Sequence, residues 1–255
     1  MNRESDSYKE LCTEYYDLDK PSAPEDALQC YLHYAKEANG PILEPMCGTG
    51  RFLIPLLQAG YDVTGFDNSA HMLNVCRKKC EQLELRTTLL EATFKTFSLE
   101  KEYSLIFIPC GSFCHLIAAE EISQALTFIS NHLKSNGKFV FEIETLKAIR
   151  EPQGVWRGKW VNKPDGSKII LNVLSQFDST SRVETGLFRY ELWEKNAISR
   201  TEVEIYHVRH YDPMEIEEIL KKHGLNIIGK WQTEPHAKIK ANDITEVILY
   251  ECIKN

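Results

Sequence analysis

The hydrophobic pattern of this 255-residue chain alternates between short apolar runs and stretches in which apolar residues recur every three or four positions. Apolar runs at 41–46, 61–66, 87–93, 103–109 and 138–143 have the length and composition of strands. Stretches in which apolar residues recur every three or four positions, as in a helix, follow the first, second and fourth of these runs. Strands that alternate with helices predict a parallel sheet covered on both faces, which is an α/β fold.

A helix is predicted before the first strand. Ser22 and Glu25 have the spacing of a capping box, and Gly40 follows the last turn, so these signals predict a helix over 23–38. The segment before this helix is aromatic and acidic.

The pattern changes between 151 and 211. Runs at 168–174, 187–193 and 200–208 alternate apolar and polar residues and are separated by turn signals, as in an antiparallel sheet. We interpret this stretch as a β subdomain inserted into the α/β fold.

The α/β pattern then resumes. Asp212 and Glu215 predict a second capping box, and two further apolar runs follow at 226–232 and 245–252. The complete set predicts a Rossmann-like, mostly parallel sheet of seven strands. The predicted organisation is an N-terminal lid and helix (1–40), a core (41–150), an antiparallel β insertion (151–211) and the C-terminal part of the core (212–255).

Composition narrows the classes of function. The chain carries 30 Lys and Arg against 37 Asp and Glu, a formal net charge of −7. Non-specific nucleic-acid binding depends on positive charge, so this balance disfavours a nucleic-acid partner. No apolar run approaches the roughly 20 residues that span a bilayer, and 1–10 lacks the apolar core of a signal peptide. We therefore expect a cytoplasmic protein without a membrane partner.

The eight cysteines are expected to be reduced thiols, because a cytosolic chain of this length does not need disulfides. Cys76 and Cys80, like Cys110 and Cys114, are four residues apart, but neither pair has a neighbouring C-x-x-C or a convincing histidine partner. Buried packing is therefore favoured over zinc binding, and we expect no metal site.

A glycine turn follows the first predicted strand, at the position where α/β sheets bind ligands. Its two glycines permit tight backbone geometry close to a ligand, and the helix that follows presents free amides to an anion. G-x-G alone is a weak signal that could mark any strand-to-helix turn. The turn and its flanks read Glu44, Pro45, Met46, Cys47, Gly48, Thr49, Gly50 and Arg51.

Asp67 strengthens the interpretation of this turn. It lies 19 positions after Gly48 and ends the next predicted strand, where a carboxylate can bind both ribose hydroxyls of an adenosine cofactor. The dinucleotide fingerprint requires a third glycine three positions after Gly50, where this chain has Leu53. The pattern therefore disfavours a pyrophosphate-containing cofactor.

The segment 44–50 resembles the first motif of class I S-adenosylmethionine-dependent methyltransferases, an acidic residue followed closely by C-G-T-G. This resemblance implies S-adenosylmethionine as cofactor and S-adenosylhomocysteine as product, with Glu44 near the amino-acid end of the cofactor. Similarity to later family motifs implies further cofactor-binding residues. These are Asp67, Asn68 and Met72 on the ribose side, Ala92, Thr93 and Phe94 around the adenine, and Pro109 after the fourth strand.

Thr93 departs from the family pattern, because many members have an acidic residue there. The resemblance therefore implies that backbone amides and the apolar flank of Phe94 bind the adenine.

Within this superfamily, the chain most resembles small-molecule enzymes of the nucleotide-sugar N,N-dimethyltransferase type, which also carry an antiparallel insertion. The similarity rests on segments 15–18, 111–116 and 210–212. It implies that Tyr16 lines the cofactor and methyl-transfer pocket, and that His115 is a general base or orients the acceptor. The alternatives are that His115 binds a backbone carbonyl and that Tyr16 packs an N-terminal helix.

Methyl transfer from a sulfonium is an in-line displacement, so a protein mainly has to align donor and acceptor and exclude water. A histidine can accept a proton from an amine or hydroxyl at neutral pH. Trp156, Trp160, Arg189 and Trp193 could cover a sugar or an anionic acceptor. Packing within the insertion, or a homodimer contact through it, explains the same residues.

Together these features predict an enzyme that methylates an amine or hydroxyl of a small molecule. The alternatives are a methyltransferase that acts on RNA or protein, and a non-catalytic binding or scaffold protein with the same fold.

Overall fold

A computed structural model describes residues 8–233 and 238–254. In this part of the chain, no helix combines the length and the apolar character needed to cross a membrane. The helices are α1 Glu10–Asp19, α2 Glu25–Ala38, α3 Leu53–Gln58, α4 Ala70–Gln82, α5 Ala119–His132 and α6 Pro213–Lys222. The first five strands are β1 Ile42–Pro45, β2 Val63–Asp67, β3 Thr88–Glu91, β4 Tyr103–Ile108 and β5 Leu133–Glu144. The other strands are β6 Arg157–Asn162, β7 Lys168–Asp178, β8 Val183–Glu194, β9 Ala197–Arg209, β10 Leu225–Gln232 and β11 Val247–Lys254.

Seven strands form the main sheet in the order β10-β11-β5-β4-β1-β2-β3. The pairs from β5 to β3 are parallel, whereas β11 runs antiparallel to both of its neighbours. The chain runs outward from β1 through β2 to β3 and then returns to β4 on the other side of β1. Such a reversal leaves a crevice at the carboxyl ends of the strands. The predicted α/β class and the mostly parallel seven-stranded sheet are confirmed.

Helices cover both faces of this sheet, which explains why its central strands are almost uniformly apolar. Tyr31 of α2 and Leu53 of α3 pack on one face. Leu126 of α5 and Leu220 of α6 pack on the other. The two resulting apolar layers hold the strand ends in fixed positions.

The antiparallel insertion forms a separate four-stranded sheet in the order β6-β7-β8-β9. Its strands are joined as successive hairpins, with β7, β8 and β9 in register over most of their length. Helix α1 covers one face of this sheet, so the N-terminal helix packs on the insertion, a contact that the sequence pattern did not predict. The buried residues of this layer are Leu11, Cys12, Tyr15, Ile169, Leu171 and Tyr190.

The two predicted capping boxes form only in part. Ser22 lies outside α2, whose N-cap is Pro24, and a proline side chain accepts no hydrogen bond. Asp212 does cap α6, by accepting the Met214 N–H. The carboxylate of Glu215 pairs with two arginines instead of completing its box.

Candidate functional site

A cavity of about 800 Å³ lies at the carboxyl ends of β1, β2 and β4. The N-terminal segment and strand β9 close it on the other side. Many of its lining residues were predicted from the sequence. These are Tyr16, Met46, Gly48, Asp67, Asn68, Met72, Ala92, Thr93, Phe94 and His115.

Other predicted residues lie outside the described lining. They lie in or beside the glycine turn, or directly after β4. They are Glu44, Pro45, Cys47, Thr49, Gly50, Arg51 and Pro109.

The glycine turn after β1 is built from left-handed backbone. Met46, Gly48 and Gly50 have φ angles of 57°, 55° and 82°. A Cβ on Gly50 would lie 2.7 Å from the sulfur of Cys76 in α4, whereas a Cβ on Gly48 would meet no atom within 4 Å. Gly50 therefore allows the turn to pack on α4, and Gly48 leaves the floor of the cavity open.

Asp67 is buried at the end of β2 and joins the two strand ends. Its Oδ2 accepts the Gly48 N–H at 2.8 Å, and its Oδ1 accepts the Ser69 N–H at 2.9 Å. Burial raises the pKa of this carboxyl, while the backbone hydrogen bonds act in the opposite direction. Each carboxylate oxygen can accept a second hydrogen bond, so Asp67 can also bind vicinal hydroxyls in the cavity.

Two buried polar atoms at the turn have no hydrogen-bond partner among the described residues. They are Oε2 of Glu44 and Oγ1 of Thr49. The Glu44 carboxyl accepts a hydrogen bond from the Leu53 N–H, and burial raises its pKa well above the ordinary value, with a further contribution from the charge of Asp67. Buried polar atoms without a partner are rare in proteins, and a water, an ion or a catalytic role can account for them.

Phe94 and Thr93, both predicted to bind the adenine, differ in what they offer to a ligand. Phe94 lines the cavity and packs edge-on against Phe66, with 5.2 Å between ring centroids. The Thr93 N–H, in contrast, donates to Oγ1 of Thr96 at 2.9 Å. An apolar flank is therefore available to a base, while the Thr93 amide is already occupied.

His115 has one definite tautomer, because its Nδ1 lies 3.0 Å from the His207 carbonyl oxygen, which can only accept. Nδ1 therefore carries the proton, and Nε2 accepts from the Tyr8 hydroxyl at 3.3 Å. Burial lowers the pKa of His115 below 6.5, and the backbone hydrogen bond opposes this. The imidazole is therefore neutral at pH 7, with its basic nitrogen next to the cavity.

Tyr8 and Tyr206 also line the cavity and were not named from the sequence. Their rings pack against each other with centroids 5.0 Å apart. Tyr206 lies on β9, and Tyr8 lies just before α1, so no local motif connects them. Tyr16 has a different anchor, because its hydroxyl accepts from Nη1 of Arg51 at 3.1 Å.

The aromatic residues proposed as a roof are not brought to the described cavity wall. The guanidinium of Arg189 lies 5.3 Å from the ring centroid of Trp156, and Nζ of Lys168 lies 5.3 Å from that of Trp193. Trp160 is 62% exposed. Strand alternation explains this difference, because these residues occupy the sheet face opposite α1.

Part of the chain matches a known protein family. Residues 42–137 match the protein family described as methyltransferase domain. Solved structures of S-adenosylmethionine-dependent methyltransferases share this fold, so the fold that the resemblance implied is confirmed.

Similar proteins of known sequence are also named as methyltransferases. A putative methyltransferase of Geobacillus sp. strain WCH70 is 26% identical over 51% of this chain, a match that spans 55% of that relative. The putative methyltransferase YqeM of Bacillus subtilis strain 168 is 23% identical, over 83% of this chain and 84% of its own length. The glycine/sarcosine N-methyltransferase of Parasynechococcus marenigrum strain WH8102 is 27% identical over 62% of each protein.

Solved structures share the fold across nearly the whole chain. An S-adenosylmethionine-dependent methyltransferase from Clostridium acetobutylicum ATCC 824 superimposes with a TM-score of 0.79 and 20% identity, over 95% of this chain and 96% of the other. The sugar N-methyltransferase KedS8 from Streptoalloteichus sp. ATCC 53650 gives 0.77 and 15%, over 100% and 97%. CalS10, an amino pentose methyltransferase from Micromonospora echinaspora solved with S-adenosylmethionine, gives 0.70 and 16%, over 98% of each chain.

The packing of the glycine turn can be tested by unfolding in urea. We expect Gly60→Ala to cost about 1–2 kcal/mol, because Gly60 also has a positive φ but its Cβ would meet open space. Gly50→Ala adds the clash with Cys76 and should cost about 1–3 kcal/mol more. Equal losses of stability in the two variants would contradict the proposed packing role of Gly50.

Proposed function

We propose that this protein is an S-adenosylmethionine-dependent methyltransferase that acts on an amine or hydroxyl of a small molecule. The observation that carries the proposal is the buried carboxylate of Asp67, which is hydrogen-bonded to the Gly48 turn and lines the same cavity. Asp67 provides hydrogen-bond acceptors for ribose hydroxyls, and the open backbone turn beside it leaves room for an amino-acid tail. A nucleoside that carries an amino-acid tail requires both features.

The residues present fit this cofactor. Asp67 would bind the ribose hydroxyls, and Phe94 would flank the adenine. Oε2 of Glu44 and Oγ1 of Thr49, which have no partner among the described residues, are suited to the amino-acid end. When bound, the cofactor supplies an electrophilic methyl group on its sulfonium.

The other residues of the cavity would bind and orient the acceptor. Tyr16 reaches the cavity from α1, and His115 reaches it from the segment after β4. The neutral Nε2 of His115 can take up a proton through the Tyr8 hydroxyl. The protein itself needs to do little more, because an in-line displacement depends mainly on alignment and on exclusion of water.

The size of the cavity supports a small molecule as the methyl acceptor. A volume of about 800 Å³ is within the range of roughly 300–1,000 Å³ usual for small-molecule pockets. KedS8, CalS10 and the glycine/sarcosine enzyme are named for small amine or sugar acceptors. The net charge of −7 disfavours an RNA acceptor.

Cofactor binding can be measured by calorimetry with S-adenosylmethionine. We expect micromolar binding to the wild type and at least about tenfold weaker binding to Asp67→Asn, which loses charge-assisted hydrogen bonds to the ribose. Asp62→Asn is the matched control, because Asp62 is an exposed carboxylate paired with Lys101 just before β2. No binding by the wild type would favour a scaffold protein, and equal binding by all three would remove the role of Asp67.

The role of His115 predicts a pH dependence. Because burial lowers its pKa below 6.5, the proton-accepting form persists at pH 7, and turnover should fall only as the pH drops below 6.5. With an acceptor identified by screening small amines, we expect His115→Ala to lower turnover by about a hundredfold and to lose this acid limb. The exposed His33, changed to Ala, is the control. An unchanged pH profile in His115→Ala would exclude the role.

The predicted homodimer through the insertion is a further part of this proposal. Strand register puts Ile198, Val203 and Ile205 of β9 on the sheet face of Trp193 and Arg189, opposite the face covered by α1. Their side chains are exposed to solvent. Two copies related by a twofold axis can bury these apolar residues against each other.

Sedimentation velocity tests the dimer. We expect a dimer for the wild type at micromolar concentration and a monomer for Val203→Lys, because a charge would be placed among the apolar residues of β9. Ile244→Lys is the control, since Ile244 is 77% exposed but lies outside the insertion. A monomeric wild type would contradict the prediction.

A further inference from the structure

A buried carboxylate of β9 holds the start of the N-terminal helix. Glu204 is 1% exposed, and it accepts the Tyr8 N–H on Oε2 at 2.8 Å and the Lys9 N–H on Oε1 at 2.7 Å. These amides would otherwise have no intrahelical acceptor, because they lie at the start of α1. The two residues are separated from Glu204 by more than 190 positions, so this contact ties the chain start to the insertion.

A second carboxylate on the same strand continues this arrangement. Glu202 accepts the Leu11 N–H at 3.3 Å and the Cys12 N–H at 3.0 Å. The free amides at the amino end of α1 thus meet two carboxylates of β9, an arrangement that the helix dipole also favours. Helix α1 is therefore anchored on the inserted sheet.

Tyr8 is held on both sides of its peptide backbone. Its φ is 59°, a left-handed conformation that is uncommon for a bulky residue. While Glu204 binds its N–H, its carbonyl oxygen accepts from Oγ of Ser69 at 2.7 Å. Ser69 lies two residues after Asp67, so Tyr8 connects the insertion to the predicted ribose-binding loop.

The side chain of Tyr8 is consequently fixed in the cavity. Its hydroxyl lies 3.3 Å from Nε2 of His115, and its ring packs on that of Tyr206. Strained backbone that is held by surrounding contacts is frequent at functional sites.

We propose that Glu204 is a positioning residue, which holds Tyr8 over the cavity so that its hydroxyl faces the acceptor and α1 keeps the cofactor enclosed. This inference rests on the proposed function. Without Glu204, the N–H groups of Tyr8 and Lys9 lose their hydrogen-bond acceptor. Tyr8 is then free to leave its left-handed conformation. The cofactor should dissociate faster, because Tyr8 and Tyr16 are both part of the wall that encloses it.

The test is surface plasmon resonance with S-adenosylhomocysteine on the immobilised full chain. We expect Glu204→Ala to raise the dissociation rate about tenfold, the effect of weakening one hydrogen bond to a charged group, and to change the association rate by less than about twofold. Glu204→Gln retains one carbonyl acceptor, so its effect should be about threefold. Glu10→Gln is the matched control, because Glu10 also pairs α1 with β9, through Arg200, but is exposed.

Hydrogen exchange provides a readout that separates positioning from general destabilisation. In Glu204→Ala, amides of residues 8–19 should exchange faster, while amides of the parallel strands stay protected as in the wild type. If Glu204→Ala does not fold, the dissociation rate and the hydrogen exchange are both measured on Glu204→Gln.

A negative result for the proposed function can be distinguished from a negative result for the role of Glu204. A wild type that does not bind S-adenosylhomocysteine contradicts the proposed function itself. A wild type that binds it, with unchanged dissociation rates and unchanged exchange of residues 8–19 in the Glu204 variants, overturns the role of Glu204 alone.

Discussion

The hydrogen bond from the Gly48 N–H to the Asp67 carboxylate joins the ends of two neighbouring parallel strands. It requires left-handed backbone at Gly48, and it requires Asp67 to stay buried beside the turn. The packed helices on both sheet faces keep β1 and β2 in the register that this contact needs. The floor of the cavity therefore depends on the sheet.

The opposite side of the cavity has another origin. Tyr8 and Tyr16 come from the N-terminal segment, and Tyr206 comes from the inserted sheet. These parts are connected to each other through Glu202 and Glu204, and to the parallel core through Ser69 and Arg51. A floor held by the sheet and a wall held by carboxylates of the insertion would suit the proposed enzyme, which has to admit two reactants and then exclude water.

Electrostatics inside the site also follow from burial. The raised pKa values of Glu44 and Asp67 and the lowered pKa of His115 share one main cause, which is the removal of charged groups from water. The consequence differs between them. His115 becomes a neutral base, whereas Asp67 is kept as an acceptor by backbone amides.

The sequence by itself determined the α/β fold, the glycine turn and Asp67, because these features arise from residues within one βαβ unit and have fixed periods and spacings. The family resemblance had placed Tyr16 and His115 at the cavity, but only the tertiary structure added Tyr8 and Tyr206 to its wall. Tyr8 and His115 are 107 positions apart, and no local pattern encodes such a pairing. The alternation of β8 likewise predicted two faces but not which one α1 covers, and so Arg189 and Trp193 were expected at a cavity that they do not line.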